Sequence, residues 1–165
     1  MVHNAKLLSA LKFAAIKHKG QFRKGSYQTP FISHPIRVAA MLAENGEGDS
    51  ENLLIAAFLH DVIEDTDTNA NEIKTKFGEA VCNLVLECTD DKKLPSWERK
   101  QHQINYAPKA SVAAKKLKLA DKICNIIDIR EDPPSGWSVE RRLAYLLWSE
   151  AVSYTHLTLP TTPYV

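Results

Sequence analysis

The run His60-Asp61-Val62-Ile63-Glu64-Asp65 places one imidazole and three carboxylates within six residues. Positions 60 and 64, 61 and 65, and 61 and 64 are three or four apart, so on a helix these polar side chains occupy neighbouring positions. The segment leading into them, Leu53-Leu54-Ile55-Ala56-Ala57-Phe58-Leu59, is apolar on every face, the pattern of a helix lying in a core. Carboxylates crowded onto a core helix must be neutralised, because a buried unpaired charge is costly and adjacent carboxylates repel. Arg or Lys partners, protonation or a divalent metal would each serve.

A second segment repeats the anomaly. Leu117, Leu119, Ala120, Ile123, Cys124, Ile126, Ile127 and Ile129 surround a helix with apolar groups, while Asp121, Asn125 and Asp128 form one polar stripe at spacings of four and three. Lys118 precedes Asp121 by three and offers it an ion pair, so either helix taken alone reads as well as a salt-bridged core element. That reading must hold twice. His34, in Ile32-Ser33-His34-Pro35, stands just before a helix, where a loop can aim it inward. A lone His so placed is usually just hydrogen-bonded. Together His34, His60, Asp61 and Asp121 give two imidazoles and two carboxylates. Mixed N/O ligands with open positions suit octahedral Mn²⁺, Fe²⁺ or Co²⁺ better than a closed tetrahedral structural zinc.

The elements that must position these groups read as helices. Leu7, Leu8, Leu11, Ala14 and Ala15 give an amphipathic first helix ending near Gly20, and a loop from Arg23 to Ser33 follows. Helical spacing then predicts Pro35 to Asn45, Ser50 to Thr66 with Ser50 as cap, Asn69 or Asn71 to Phe77, and Glu79 to Cys88. Pro95 to Tyr106, Ser111 to Arg130 and Ser138 to about Val152 complete an all-α fold of about eight helices. Strand alternation and hairpin turns are weak throughout. The 165 residues suit one domain, read as 1–152. Residues 153–165, with two prolines and no Lys, Arg, Asp or Glu, read as a non-conforming tail, a sequencing scar outside the fold.

Charge falls in blocks. Residues 51–80 carry seven acidic and two basic side chains, whereas residues 1–50 carry three and seven and residues 81–130 carry six and ten. An acidic centre between basic flanks suits a cation site beside an anion site, although solvated helix faces account for most of these charges. A net charge of +1 argues against wholesale nucleic-acid binding. No apolar run is long enough to span a membrane, and the N-terminus lacks a signal-peptide pattern. Cys82, Cys88 and Cys124 are too few and too irregular for a disulfide framework, so the cytoplasm is the expected location. Cys124 and the tryptophans Trp97, Trp137 and Trp148 read as packing residues. A homo-oligomer is an open expectation.

Several segments carry a resemblance in the expected order: Arg23-Lys24, Thr29-Pro30-Phe31-Ile32-Ser33-His34-Pro35-Ile36, and Phe58-Leu59-His60-Asp61-Val62-Ile63-Glu64-Asp65-Thr66. Thr89-Asp90-Asp91-Lys92, Glu98-Arg99-Lys100, Lys118-Leu119-Ala120-Asp121-Lys122-Ile123-Cys124-Asn125 and Gly136-Trp137-Ser138-Val139-Glu140-Arg141 continue it. From about Leu7 to Val152 the chain resembles the HD-domain metal-dependent phosphohydrolases, most closely the RelA/SpoT-type small alarmone hydrolases of the metazoan SpoT-homologue type. The resemblance implies an enzyme, a Mn²⁺-dependent 3′-pyrophosphohydrolase that converts ppGpp and pppGpp to GDP or GTP plus pyrophosphate. It implies His34, His60, Asp61 and Asp121 as metal ligands and Glu64 and Asp65 as the catalytic pair. Arg23, Lys24, Asn125 and Arg141 become substrate contacts, with Tyr145 a weaker one. Arg23 and Lys24 would offset charge on the pyrophosphate, although solvent exposure is their alternative, as for Arg141. An NADPH 2′-phosphatase or broader nucleotide phosphohydrolase is the alternative within hydrolases, and an inactive alarmone-binding module the alternative outside them. Ser96 departs from the Lys usual in animal-type members, which removes one expected phosphate contact.

Overall fold

Apolar residues at helical spacing decide the architecture, and each repeat forms its helix. The computed structural model describes residues 3–48 and 50–157, with side chains for 5–48 and 50–154. Its helices are α1 (His3–Lys17), α2 (Ser33–Leu42), α3 (Glu51–Leu59), α4 (Val62–Asp65), α5 (Ala70–Phe77), α6 (Glu79–Cys88), α7 (Ser96–Tyr106), α8 (Val112–Glu131) and α9 (Val139–Leu157). With the single turn α4 set aside, these are eight helices in an all-α fold, as expected. Among the described residues the sole β feature is an isolated antiparallel bridge between Phe22 and Pro30, which closes the loop after α1. Among the described residues no helix is long and apolar enough to cross a membrane.

The all-round apolar helix α3 lies at the centre, packed against α1, α2 and α6, and α8 closes over α2 and α6. Ile55 and Leu59 of α3, Val38 of α2, Val81 and Val85 of α6 and Leu117 of α8 are fully buried. Each such side chain contributes roughly 1.5–3 kcal/mol relative to exposure. Ala10 and Ala14 of α1 and Ala56 and Ala57 of α3 are also fully buried. Side-chain caps start three helices: Asn69 Oδ1 accepts from Glu72 N (3.0 Å), Ser111 Oγ from Ala114 N (3.1 Å) and Ser138 Oγ from Arg141 N (3.3 Å). Ser50, which the sequence offers as a cap, makes no side-chain capping bond.

Two departures bear on the site. The span Ser50 to Thr66, expected as one helix, is broken, and His60 and Asp61 form the turn between α3 and α4. Asp61 sits at φ −100° and ψ −6°, and helical bonding restarts with Asp65 N donating to Asp61 O (2.8 Å). The last helix also runs to Leu157, past the Val152 boundary expected from periodicity; Val152 is buried and Ser153 Oγ donates to Ser149 O. Residues 158–165 of the expected tail lie outside the described residues. Of the tryptophans read as packing residues, Trp97 is 71% exposed and does not pack.

Candidate metal centre and its cavity

His34 enters from the first turn of α2, His60 and Asp61 from the α3–α4 turn, and Asp121 from the middle of α8. Their polar atoms converge. His34 Nε2 lies 3.1 Å from Asp121 Oδ1 and 3.9 Å from Asp61 Oδ2, while His60 Nε2 lies 3.1 Å from Asp61 Oδ2 and 3.8 Å from Asp121 Oδ1. His34, His60 and Asp121 each present a ligand atom within 4.8 Å of the others. The break matters here: on an unbroken helix side chains i and i+1 point apart, but the turn brings the His60 and Asp61 side chains together. All three of His34, His60 and Asp121 are buried, and Asp61 is partly exposed.

The donor set fits a divalent cation. His60 Nδ1–H donates to Ala57 O (2.8 Å), which sets the tautomer and turns the Nε2 lone pair toward the two carboxylates. Nε2 itself is buried without a hydrogen-bond partner. A cation between the carboxylates and imidazoles would satisfy that atom and offset the acidic charge. Without one, protons take over that task. Burial opposes charge on His60, but the Asp61 carboxylate 3.1 Å away, helped by Asp121 and the Ala57 carbonyl, outweighs it and pushes its pKa up to about 9. Burial likewise raises Asp61, yet His60 and then His34 hold its carboxyl well below the usual range. Asp121 is held low against its burial by Lys122, His34 and His60. The ion pair offered by Lys118 is not made. Lys118 Nζ donates to Cys88 O, and Lys122 Nζ sits 3.2 Å from Asp121 Oδ2 in its place.

Glu64 and Asp65 follow on α4 and line the same cavity of about 680 Å³ as His34, His60, Asp61 and Asp121. Glu64 Oε2 accepts from Asp90 N (3.1 Å), and Oε1 lies 3.7 Å from Arg99 Nη1. Burial is the main cause that raises the Glu64 pKa; Asp90 N–H opposes it, and the carboxylates of Asp90, Asp61 and Asp65 add to it. Asp65 is bonded by Lys92 Nζ. Arg23, Lys24, Asn125 and Tyr145 also line the cavity. Arg141 does not: it is exposed, with its guanidinium 4.4 Å from the Trp137 ring. Lys92, Arg99, Gln103 and Lys122 line the cavity too, and sequence reasoning gave them no role. Lys92 and Arg99 stood inside the quoted motifs. Only folding shows that the α6–α7 connection and α7 bring them to Glu64 and Asp65.

A model of the HD domain matches residues 10–146, a span that contains His34, His60, Asp61 and Asp121. The chain is 44% identical over 149 residues to the guanosine-3′,5′-bis(diphosphate) 3′-pyrophosphohydrolase MESH1 of Drosophila melanogaster, covering 90% of this chain and 83% of that protein. Its counterpart from Homo sapiens is 47% identical over 148 residues with the same coverage, 90% and 83%. A solved structure described as a metazoan ortholog of SpoT that hydrolyzes ppGpp superposes with a TM-score of 0.90 at 43% identity, over 93% of this chain and 86% of that one. Motif order, the convergent His and Asp side chains and near-complete alignment agree, and the chain belongs to the HD-domain family, in the MESH1 group of SpoT-type proteins.

Proposed function

We propose that the protein hydrolyses the 3′-pyrophosphate of ppGpp and pppGpp with a divalent cation, Mn²⁺ first among candidates, held by His34, His60, Asp61 and Asp121. One observation carries this reading: those four groups converge beside Glu64 and Asp65, in a cavity whose walls also carry Arg23, Lys24, Lys92 and Arg99. A divalent ion there would act as a Lewis acid toward a phosphate oxygen and bring water within reach of ionisation near neutral pH.

The chain's own groups do the rest. Glu64 takes the proton of the attacking water, and its raised pKa suits a proton acceptor that must also let the proton go. The water oxygen bonds to the phosphorus carried by O3′, the P–O3′ bond breaks, and O3′ leaves with a proton. Asp65, tethered by Lys92, is the second carboxylate available for that transfer. Lys24, Lys92 and Arg99 offset the charge of the cleaved diphosphate. The three free buried thiols suit a reducing compartment, and the cytoplasm is the proposed location.

The test is a Mn²⁺-supplemented assay on ppGpp with product identification, run beside NADPH. Pyrophosphate release is expected. Release of single phosphates, or turnover of NADPH alone, would replace this reading with the broader phosphohydrolase.

A further inference from the structure

His18 is a buried imidazole that belongs neither to the metal cluster nor to the cavity lining. It follows α1 directly, 3% exposed, with its ring centroid 4.6 Å from that of Phe31. Its Nδ1 lies 2.7 Å from Gln21 Oε1, and Gln21 Nε2 donates to the backbone carbonyl of Asp65 (2.8 Å). The other ring nitrogen, Nε2, is buried without a hydrogen-bond partner among the described residues.

The direction of these bonds follows from their far end. A carbonyl oxygen only accepts, so the Gln21 amide must turn its nitrogen to Asp65 and its Oε1 to His18. An amide oxygen also only accepts, so His18 Nδ1 carries the hydrogen. The Gln21 main chain is fixed on both sides, its N–H donating to His18 O (3.0 Å) and its carbonyl accepting from Phe31 N (2.9 Å), which leaves the side-chain amide for His18 to aim. Burying Nε2 unpartnered is costly, and a phenyl ring packed on Phe31 would avoid that cost. What the imidazole adds over a phenyl ring is the Nδ1–H donor.

The line ends on the single turn α4. Four residues do not hold a helix by themselves. Asp65 N donates to Asp61 O (2.8 Å) and Thr66 N to Val62 O (3.2 Å), after which Thr66 turns to extended backbone. The Asp65 carbonyl therefore has no partner within its own helix. Gln21 supplies one from the loop after α1, while Lys92 Nζ holds the Asp65 carboxylate from the α6–α7 connection.

We propose that His18, acting through Gln21, is the positioning residue of Asp65: it fixes the carbonyl on which α4 ends and with it the aim of the Asp65 carboxylate. The inference rests on the catalytic role proposed for Asp65.

The experiment measures ppGpp hydrolysis by the Mn²⁺-loaded full chain. His18→Phe keeps a ring against Phe31 and removes the donor. Gln21→Glu keeps the acceptor for His18 and sets a second acceptor against Asp65 O. Each is expected to lower kcat about tenfold with KM within about twofold. His18→Asn, whose amide nitrogen can stand in for Nδ1, should recover kcat to within about threefold of wild type. On an Asp65→Asn background His18→Phe should cost less than about twofold more, because the line acts through Asp65. Equal losses on both backgrounds, or no recovery by His18→Asn, would overturn the proposal, as would a KM that rises while kcat holds. Amide hydrogen exchange separates it from the catalytic reading. The Asp65 and Thr66 amides should exchange about tenfold faster in His18→Phe and return toward wild type in His18→Asn. That result supports the positioning role even where the wild type fails to hydrolyse ppGpp or Asp65→Asn hydrolyses it at full rate; unchanged exchange overturns it.

Discussion

His60 is bonded at one ring nitrogen and carries no hydrogen bond at the other, the asymmetry that a metal ligand would need. His60→Ala removes one of four donors and leaves only His34 and Lys122 to offset the Asp61 and Asp121 charges. Mass spectrometry of purified variant should show metal content falling from about one ion per chain to about a tenth or less, with hydrolysis lost in parallel. An active, metal-free variant would end the metal reading. Glu64 shows the opposite balance. Its folded pKa is raised, so as pH climbs past the ordinary carboxylate value the unfolded chain releases a proton that the folded chain retains, and stability falls through that window. Glu64→Gln has no proton to lose. It is expected to melt higher than the wild type at pH 7, to lose that advantage near pH 4, and to hydrolyse ppGpp about a hundredfold or more slowly. Thermal melts at the two pH values and one kinetic assay check all three outcomes.

At the scale of elements, the loop after α1 is a part whose geometry is set from elsewhere. Asp132, at the end of α8, accepts from Ser26 N (2.7 Å), Ser26 Oγ (2.8 Å) and Tyr27 N (3.1 Å), while Ser135 N donates to Lys24 O. Gly25 lies so close that an added Cβ would sit 1.9 Å from Asp132 Oδ2 and 2.7 Å from its carbonyl oxygen. Gly25→Ala must therefore detach the loop that carries Arg23 and Lys24. A rise in KM of about tenfold is expected, with a stability loss of about 1–3 kcal/mol measured by denaturant unfolding. Nothing in the letters Lys24-Gly25-Ser26 announces this, because the partner is more than a hundred residues away. The helices themselves were legible, since α3 is apolar from Leu53 to Leu59 and α8 repeats apolar residues at helical spacing. His60, Asp61 and Asp121 stood out for the same reason, whereas His34 was marked only by its place at the start of a helix. The break at His60-Asp61 was not, because neither residue is a helix breaker and tertiary packing imposes the turn. The exposed position of Arg141, outside the cavity lining, was equally hidden, since helical spacing does not say which way a terminal helix leans.

Across the whole molecule, the site is held by a core that brings distant segments together: His34 and Asp121 are 87 residues apart in the chain and 3.1 Å apart in space. Leu117, one turn before Asp121, is fully buried in the cluster formed with α2, α3 and α6. Truncating it should cost about 2–5 kcal/mol and weaken metal binding as well, because the cavity loosens the helix that aims Asp121. The converse coupling gives the sharper test. Ligands from α2, the α3–α4 turn and α8 meet only in the folded chain, so a divalent ion binds the native state far better than the unfolded one. At a free concentration of 100 times Kd it adds about 2.7 kcal/mol, which for a domain of this size raises Tm by roughly 5–10 °C. Melts of the metal-free protein titrated with Mn²⁺ should climb with the logarithm of concentration. His60→Ala should stay flat over the same range, whereas Arg37→Gln, whose side chain touches no ligand, should climb like the wild type. A flat wild-type titration would mean that the four groups are a salt-bridged core cluster neutralised by protons and the Lys122 ammonium.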